Sequence, residues 1–408
     1  MDRAAGEATG TEDLDALARE TISHLGSFER ASASAGERRA ADWIAARLRR
    51  EGVAAQVEEE RAHGTYWWPL GLLTAAAGAA ALTGSRKLAA VIGTASAALI
   101  ADDISGGRQL FRRRALPLHP TWNVVGEAGD RDANHTVVLV AHHDAAHWSL
   151  LFAPQVPAWI GEHFPDALER SNETPPVMFP VIGGPLLVAL GGLSGWTRLR
   201  RAGALLSLAS AATMVEIGSR STVPGANDNL SGVATLLGVA RRLREQPIEG
   251  LRVVFVSTGS EESFMEGMQA FARRHFDELP TERTHVICID TVGSPRLMQL
   301  EGEGMLRMRD YPESFKALLS QVADDQGIHL ARGMRFRNAT DGLLALKRGY
   351  PTVMLGSYNQ YKVPSNYHWP TDTAENVCYG TVVEAIRLCD GVVRRLAATV
   401  ASPAASVS

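Results

Sequence analysis

The sequence predicts an α/β protein: a mostly parallel, mixed central sheet with helices on both faces, into which two apolar helical hairpins are inserted. Three observations point there. Short apolar runs alternate with amphipathic segments over the second half of the chain. Acids and histidines recur at the carboxyl ends of those runs, the edge at which open α/β sheets bind ligands. Charge is absent from four stretches, Gly64–Ser85, Leu88–Ala101, Thr174–Thr197 and Ala202–Val215.

Residues 1–10 and 401–408 are small and polar and are expected to fray. Glu12–Gly26 and Gly36–Gly52 read as helices. In the second, Ala40, Trp43, Ile44, Ala46 and Leu48 recur at helical spacing and Gly52 is the stop signal. Val53–Glu58, Trp122–Gly126 and Thr136–Ala141 read as strands. Ser231–Glu245 is expected as a helix with Val233, Leu236, Leu237, Ala240 and Leu243 on one face. The alternation then continues: strand Leu251–Thr258, helix Phe264–Asp277, strand His285–Ile289, helix Tyr311–Asp325, strand Pro351–Leu355 and helix Ala374–Val400. Such alternation argues for parallel strands covered on both faces.

Each hairpin pairs a long uncharged arm of 22 or 24 residues with a short one of 14 across a basic tip, Arg86–Lys87 or Arg198–Arg201. The long arms reach the roughly 20 residues that a bilayer-spanning helix needs. The short arms span only by recruiting Asp102 and Asp103, or Glu216. A lipid bilayer is therefore the expected partner, with buried hairpins or an oligomer interface as the alternative. The chain divides into one interrupted domain (1–63, 102–173 and 216–400), hairpin inserts at 64–101 and 174–215, and a disordered tail at 401–408.

Charged residues make up 21% of the chain, below the roughly 25% usual for soluble proteins, and the four uncharged stretches account for the deficit. Net charge is −4, and the longest basic run is Arg112–Arg114, so nucleic-acid binding has no electrostatic support. Cys288, Cys378 and Cys389 have no metal spacing and argue against a disulfide framework. The first twenty residues lack the apolar segment of a signal peptide. Nine arginines flank the hairpins on the side of the interrupted domain, against five basic residues at the tips. By the positive-inside rule this favours the cytoplasmic side of a membrane for the domain, with an external domain as the alternative because the tips are basic too.

Five motifs carry chemistry. Ala141-His142-His143-Asp144 closes a strand. In extended chain His142 and Asp144 point the same way, as a metal ligand and its orienting carboxylate do, with His147 a rival ligand. Gly225–Gly232 is a polar turn opening a helix. It reads either as a helix cap or as a rigid mount for Asp228, able to bridge two cations. Glu261 and Glu262 follow a strand. They read as solvated helix-start acids, or as a metal ligand beside a proton acceptor. Asp290 ends another strand, and His368 lies in the loop Asn366–Pro370. Each has an ordinary structural reading alone. Gathered at one sheet edge, two histidines and three carboxylates form a mixed N/O set suited to zinc, or to manganese or cobalt.

The set His142-x-Asp144, Gly225-Ala-Asn-Asp228-Asn-x-Ser-Gly, Glu261-Glu262, Asp290-x-Val-Gly and Tyr367-His368 resembles the M28 family of co-catalytic zinc peptidases, with Asp372–Asn376 following as in that family. The likeness runs from about Glu12 to Val400 apart from the apolar blocks. It implies a zinc-peptidase αβα sandwich, a peptide substrate and two Zn²⁺ ions, for which Mn²⁺ or Co²⁺ can substitute. It also implies roles. His142, Asp228 and Asp290 would hold one zinc; Asp228, Glu262 and His368 would hold the other, with Asp228 bridging. Asp144 would orient His142, Glu261 would be the general base, and Tyr367 would hydrogen-bond the tetrahedral intermediate. One departure is large: His142 and Asp228 are 86 positions apart, where the family has a short connection. Relatives on the same fold supply two alternatives, a single-zinc glutaminyl-cyclase-like enzyme and a non-catalytic membrane scaffold. The intact Glu261 and bridging set favour a di-zinc peptidase, most simply an aminopeptidase.

Overall fold

A computed structural model describes residues 2–401, and the side chains of residues 10–399. The first half runs α1 (Asp2–Leu25), α2 (Ala35–Arg50), β1 (Ala54–Ala62), α3 (Trp67–Leu82), α4 (Arg86–Ile104), α5 (Leu110–Ala115), β2 (His119–Gly129), β3 (Thr136–His142), α6 (Gln155–His163), α7 (Pro165–Arg170), α8 (Phe179–Ser194) and α9 (Thr197–Ser219). The second runs α10 (Ser231–Glu245), β4 (Arg252–Thr258), α11 (Glu266–His275), β5 (Thr284–Ile289), β6 (Arg296–Gln299), β7 (Gly302–Glu303), β8 (Arg309–Asp310), α12 (Glu313–Asp325), β9 (Arg335–Phe336), α13 (Asp341–Lys347), β10 (Thr352–Tyr358) and α14 (Tyr379–Ala401).

Seven strands form the main sheet in the order β1-β2-β4-β3-β5-β10-β6. The four central strands β4, β3, β5 and β10 are parallel; β1, β2 and β6 pair antiparallel at the margins. Strand β3 shows why the centre is parallel. Its run Thr-Val-Val-Leu-Val-Ala-His is buried throughout, because helices cover both faces. Val137, Leu139 and Ala141 face one core, with α1, α2, α10, α12 and α14. Val138 and Val140 face the other, with α11, α13 and the inner ends of the hairpin helices.

The apolar stretches form four helices that pack together: α3 on α4 and α9, and α8 on α4 and α9. Their lengths differ from those expected. The runs of 22 and 24 uncharged residues yield helices of only 16 residues, α3 and α8. The supposedly short arms become α4 and α9, with 19 and 23 residues. The cause is backbone chemistry. Gly64 is left-handed (φ 66°) and Pro175-Pro176 cannot continue a helix, so both long runs begin outside it. The basic tips instead form the first turns of α4 and α9, with Ser85 accepting the Leu88 N–H as a cap. Backbones approach closely through small residues. A Cβ on Gly93 would lie 2.6 Å from the Ala189 nitrogen, and one on Gly203 2.5 Å from that of Val188. The outer faces stay apolar, with Leu205 73% and Leu82 67% exposed.

Helix α1 starts at Asp2, well ahead of the expected start and through residues expected to fray. Ala401 belongs to α14, and the rest of the expected disordered tail lies outside the described residues. A small three-stranded sheet, β8-β7-β9, was not anticipated.

Candidate active site

The parallel strands deliver the polar residues to one edge. His142 is the last residue of β3, Glu261 and Glu262 follow β4, Asp290 follows β5, and His368 lies beyond β10. Asp228 sits on the turn that opens α10, eighty-six residues after His142, and the second hairpin fills the interval without displacing either. His142 Nε2 is 3.1 Å from Asp228 Oδ1 and 3.9 Å from Asp290 Oδ2. His368 Nε2 is 3.1 Å from Asp228 Oδ2 and 3.3 Å from Glu262 Oε1. Asp228 thus presents one oxygen to each imidazole. The ligand atoms of His142, Asp228 and Asp290 lie within 4.8 Å of one another, as do those of Asp228, Glu262 and His368, and those of His142, Glu261 and Glu262.

Asp144 holds two of these strand ends together. Its Oδ1 is 3.3 Å from His142 Nδ1, and its carboxylate accepts the N–H groups of Glu261 and Glu262, each at 3.1 Å. Ser32 donates its hydroxyl to the same carboxylate at 2.6 Å. Asp372 does the equivalent for the Asp228 turn, accepting the N–H groups of Asn227 at 2.7 Å and Asp228 at 3.1 Å. Burial pushes its carboxyl up to about 8. Asn229 ties that turn to β5: its amide donates to Ile289 O at 2.9 Å, and its oxygen accepts from Gly232 at 3.0 Å and Thr291 at 3.1 Å. Gly232 is needed there, since a Cβ would lie 2.4 Å from Asn229 Oδ1.

Ser260 (φ 49°), Thr291 (φ 54°) and His368 (φ 48°) are all left-handed, a state that costs about 1–3 kcal/mol each without glycine. Surrounding hydrogen bonds enforce it. Glu37, buried on α2, accepts the Ser260 N–H at 2.6 Å, and burial with Asp144 nearby raises its carboxyl to about 8. Arg30, fully buried, donates to the carbonyls of His143 at 3.0 Å and Pro224 at 2.8 Å. The roles of Arg30, Ser32 and Glu37 were not foreseen. Each is a single residue in an ordinary position and offers no local signal.

The electrostatics suit a cation. Burial, together with mutual repulsion, holds Glu261 and Asp290 well above the usual carboxylate range and raises Glu262. Asp228 is also penalised by burial, but His142 and His368 draw it below its ordinary value. Burial opposes charge on both imidazoles, yet the surrounding acids hold His142 well above its usual value and His368 at about 10. Glu262 Oε1 is buried and makes no hydrogen bond, its charged neighbour being His368 Nε2 at 3.3 Å. Crowded buried acids and two imidazoles form a donor set that fits zinc.

Two other histidines are elsewhere. His147 Nδ1 meets the Arg220 carbonyl at 2.5 Å and its ring lies against Trp67, so it is part of the scaffold rather than a ligand. His143 faces the opposite side, on Ser257 Oγ at 3.0 Å, and burial drives it down to about 3. Tyr367 stacks on His368 with ring centroids 3.9 Å apart, and Phe152 packs edge-on to the His368 ring at 4.6 Å. A cavity of about 30 Å³ lies between the acids, His142, His368 and Tyr367, walled by Phe336, Met354 and Pro364. The segment after β3 reaches the site through Phe152 on the His368 ring. Its Ser149 donates to Glu216 of α9 at 2.5 Å, linking that segment to the second pair of apolar helices.

Comparison with known proteins bears on the fold and on the family. The family model of peptidase family M28 matches residues 214–393. The match includes Asp228, Glu261, Glu262, Asp290 and His368, but begins after His142 and Asp144. An aminopeptidase from an Aneurinibacillus species has the same fold at TM-score 0.54 and 13% identity, covering 93% of each chain. A zinc aminopeptidase from Bacillus subtilis superposes at TM-score 0.54 and 14% identity, covering 93% of this chain and 95% of its own. A glutaminyl cyclase from Bacteroides thetaiotaomicron does so at TM-score 0.54 and 14% identity, covering 93% of this chain and 97% of its own. No curated protein matches the chain.

Proposed function

We propose that the chain is a zinc-dependent peptidase of family M28, whose family model matches residues 214–393, and more narrowly a membrane-attached di-zinc aminopeptidase. The observation that carries the second metal is Asp228, whose two oxygens each lie 3.1 Å from a different imidazole, His142 and His368. His142, Asp228 and Asp290 would hold one zinc, and Asp228, Glu262 and His368 the other. Bound zinc supplies Lewis acidity toward water and the peptide carbonyl. Glu261 accepts the proton of the attacking water on its carboxylate and returns it to the leaving amine. The Tyr367 hydroxyl donates to the developing oxyanion. Asp144 keeps His142 aimed while anchoring the backbone of Glu261, so base and ligand share one support.

Glu261→Gln is expected to retain its zinc and to lose about 10²–10⁴-fold in turnover, the usual contribution of a positioned acid–base group. Elemental analysis and cleavage of aminoacyl substrates measure both, and wild-type turnover in this variant would remove Glu261 from the mechanism. Blocked peptides in the same panel test for the free amine. A glutamine-initiated peptide tests for cyclisation, the chemistry of the cyclase relative.

The hairpins supply the membrane attachment in this reading. Their helices expose leucine, valine and tryptophan outward, and α9 is long and apolar enough to cross a bilayer by length and composition. Helices α3 and α8, at 16 residues, reach about 24 Å, short of the roughly 30 Å hydrocarbon core, so the bilayer would thin around them. The peptidase domain lies on the cytoplasmic side. Protease protection of the N-terminus in oriented vesicles tests that orientation.

A further inference from the structure

A second cavity, of about 310 Å³, opens where the first hairpin leaves the sheet and returns to it. It shares no lining residue with the metal-binding cluster. Arg61 and His63 come from the end of β1 and the segment entering α3, Gln109 and Arg113 from the start of α5, and Arg273 from α11. Three arginines therefore surround one space, and none of them makes an ion pair among the described residues. The one acid in the lining, Glu266, is already engaged. It meets His63 Nδ1 at 2.6 Å and Arg112 Nη1 at 3.5 Å, and it accepts the Gly64 N–H at 3.0 Å and the Ser263 hydroxyl at 2.7 Å.

Two buried polar atoms at this cavity lack partners. His63 is 8% and Gln109 2% exposed, yet His63 Nε2 and Gln109 Nε2 have no hydrogen-bond partner. Buried nitrogens are seldom left so, because an unmade hydrogen bond costs about 1–3 kcal/mol. Glu266 occupies the other ring nitrogen of His63, so Nε2 remains for a ligand. Planar guanidiniums match the oxygens of a phosphate in paired hydrogen bonds.

We propose that this cavity binds a phosphate group, held by Arg61, Arg113 and Arg273 with His63 and Gln109 beneath it. The phosphate belongs either to a phospholipid headgroup or to a free anion. The cavity stands at the inner end of α3 and α4, the level at which headgroups would lie if the bundle is in a bilayer. Its volume also exceeds what a bare phosphate fills.

The test uses full-length, zinc-loaded protein in detergent, titrated calorimetrically with inorganic phosphate and with dihexanoylphosphatidylglycerol. At least one probe is expected to bind. The triple variant Arg61→Gln, Arg113→Gln, Arg273→Gln should weaken it at least tenfold, with zinc content and aminoacyl-substrate cleavage unchanged. Binding of the lipid without phosphate assigns a headgroup; equal binding of phosphate assigns a free anion. Failure of both probes at millimolar concentration overturns the proposal, as does unaltered binding by the triple variant. Should that variant not fold, Arg113→Gln alone, on an exposed side chain, is expected to weaken binding about threefold, and no change overturns the site.

Discussion

Replacing Asp144 by Asn perturbs the support that the base and one ligand share. The wild-type carboxylate accepts the N–H groups of Glu261 and Glu262 at 3.1 Å each and the Ser32 hydroxyl at 2.6 Å, while standing 3.3 Å from His142 Nδ1. A carboxamide keeps one accepting oxygen. Its NH₂ must then face either the Glu261 N–H and His142, or the Glu262 N–H and the Ser32 hydroxyl. In both orientations one buried backbone donor goes unmatched, and a hydrogen bond to a charged group worth about 1.5–3 kcal/mol is lost. If it faces His142, the ring loses its orienting charge, which at metal sites typically lowers affinity 10–100-fold. The two routes agree in size, since tenfold is about 1.4 kcal/mol. Zinc affinity is therefore expected to fall 10–100-fold, measured by competition with a chromophoric chelator. Ser32→Ala, which removes only the hydroxyl, should change it less than threefold. An Asp144→Asn protein with wild-type zinc affinity and wild-type kcat/KM would refute this account of the site.

Three further outcomes are expected. Arg112→Met leaves Asp103 (2% exposed) without its paired guanidinium and should cost about 3–5 kcal/mol in urea unfolding, whereas Arg112→Met with Asp103→Leu should recover most of it; equal stabilities would remove the pair as a clamp between α4 and α5. Gly203→Leu forces α8 and α9 apart, since even a Cβ there would lie 2.5 Å from the Val188 nitrogen, and should cost about 1–3 kcal/mol, seen as a lower thermal midpoint in detergent with zinc content intact. Burial raises the Glu303 carboxyl from its ordinary 4.5 to about 7, so the folded protein binds that proton more tightly than the unfolded chain. Its contribution is full below about pH 4.5 and lost as pH rises through about 7. Glu303→Gln, which cannot titrate, should flatten the urea midpoint over that window, and a curve parallel to wild type would contradict the assignment.

Particular residues show how far sequence alone reaches. The run Thr136–Val140 announces β3, and His142 two residues on announces what it carries, because both signals are local. The Asp228 turn announces itself the same way: it immediately precedes an amphipathic helix whose boundaries match, Ser231–Glu245. Glu37 is the opposite case. Its partner Ser260 is 223 positions away, so nothing near Glu37 marks it as the residue that holds the turn before Glu261. The apolar helices differ from the expected arm lengths for a related reason. Uncharged runs report side-chain chemistry, while helix length answers to Gly64, Pro175, Pro176 and the Ser85 cap. Strands β7, β8 and β9, of two residues each, are too short to carry any period.

Sequence by itself determined the chemical inventory: which strands end in histidines and acids, where two acids stand side by side, and which stretches are apolar. Those properties belong to residues within one element, where period and composition are visible. Tertiary structure alone decided that Asp228 faces His142 and His368 with separate oxygens. It also decided that Asp144 meets both His142 and the backbone of Glu261, and that three arginines from β1, α5 and α11, without an ion pair among the described residues, enclose one cavity. Each of these joins groups far apart in the chain, and only packing of the folded core sets such distances.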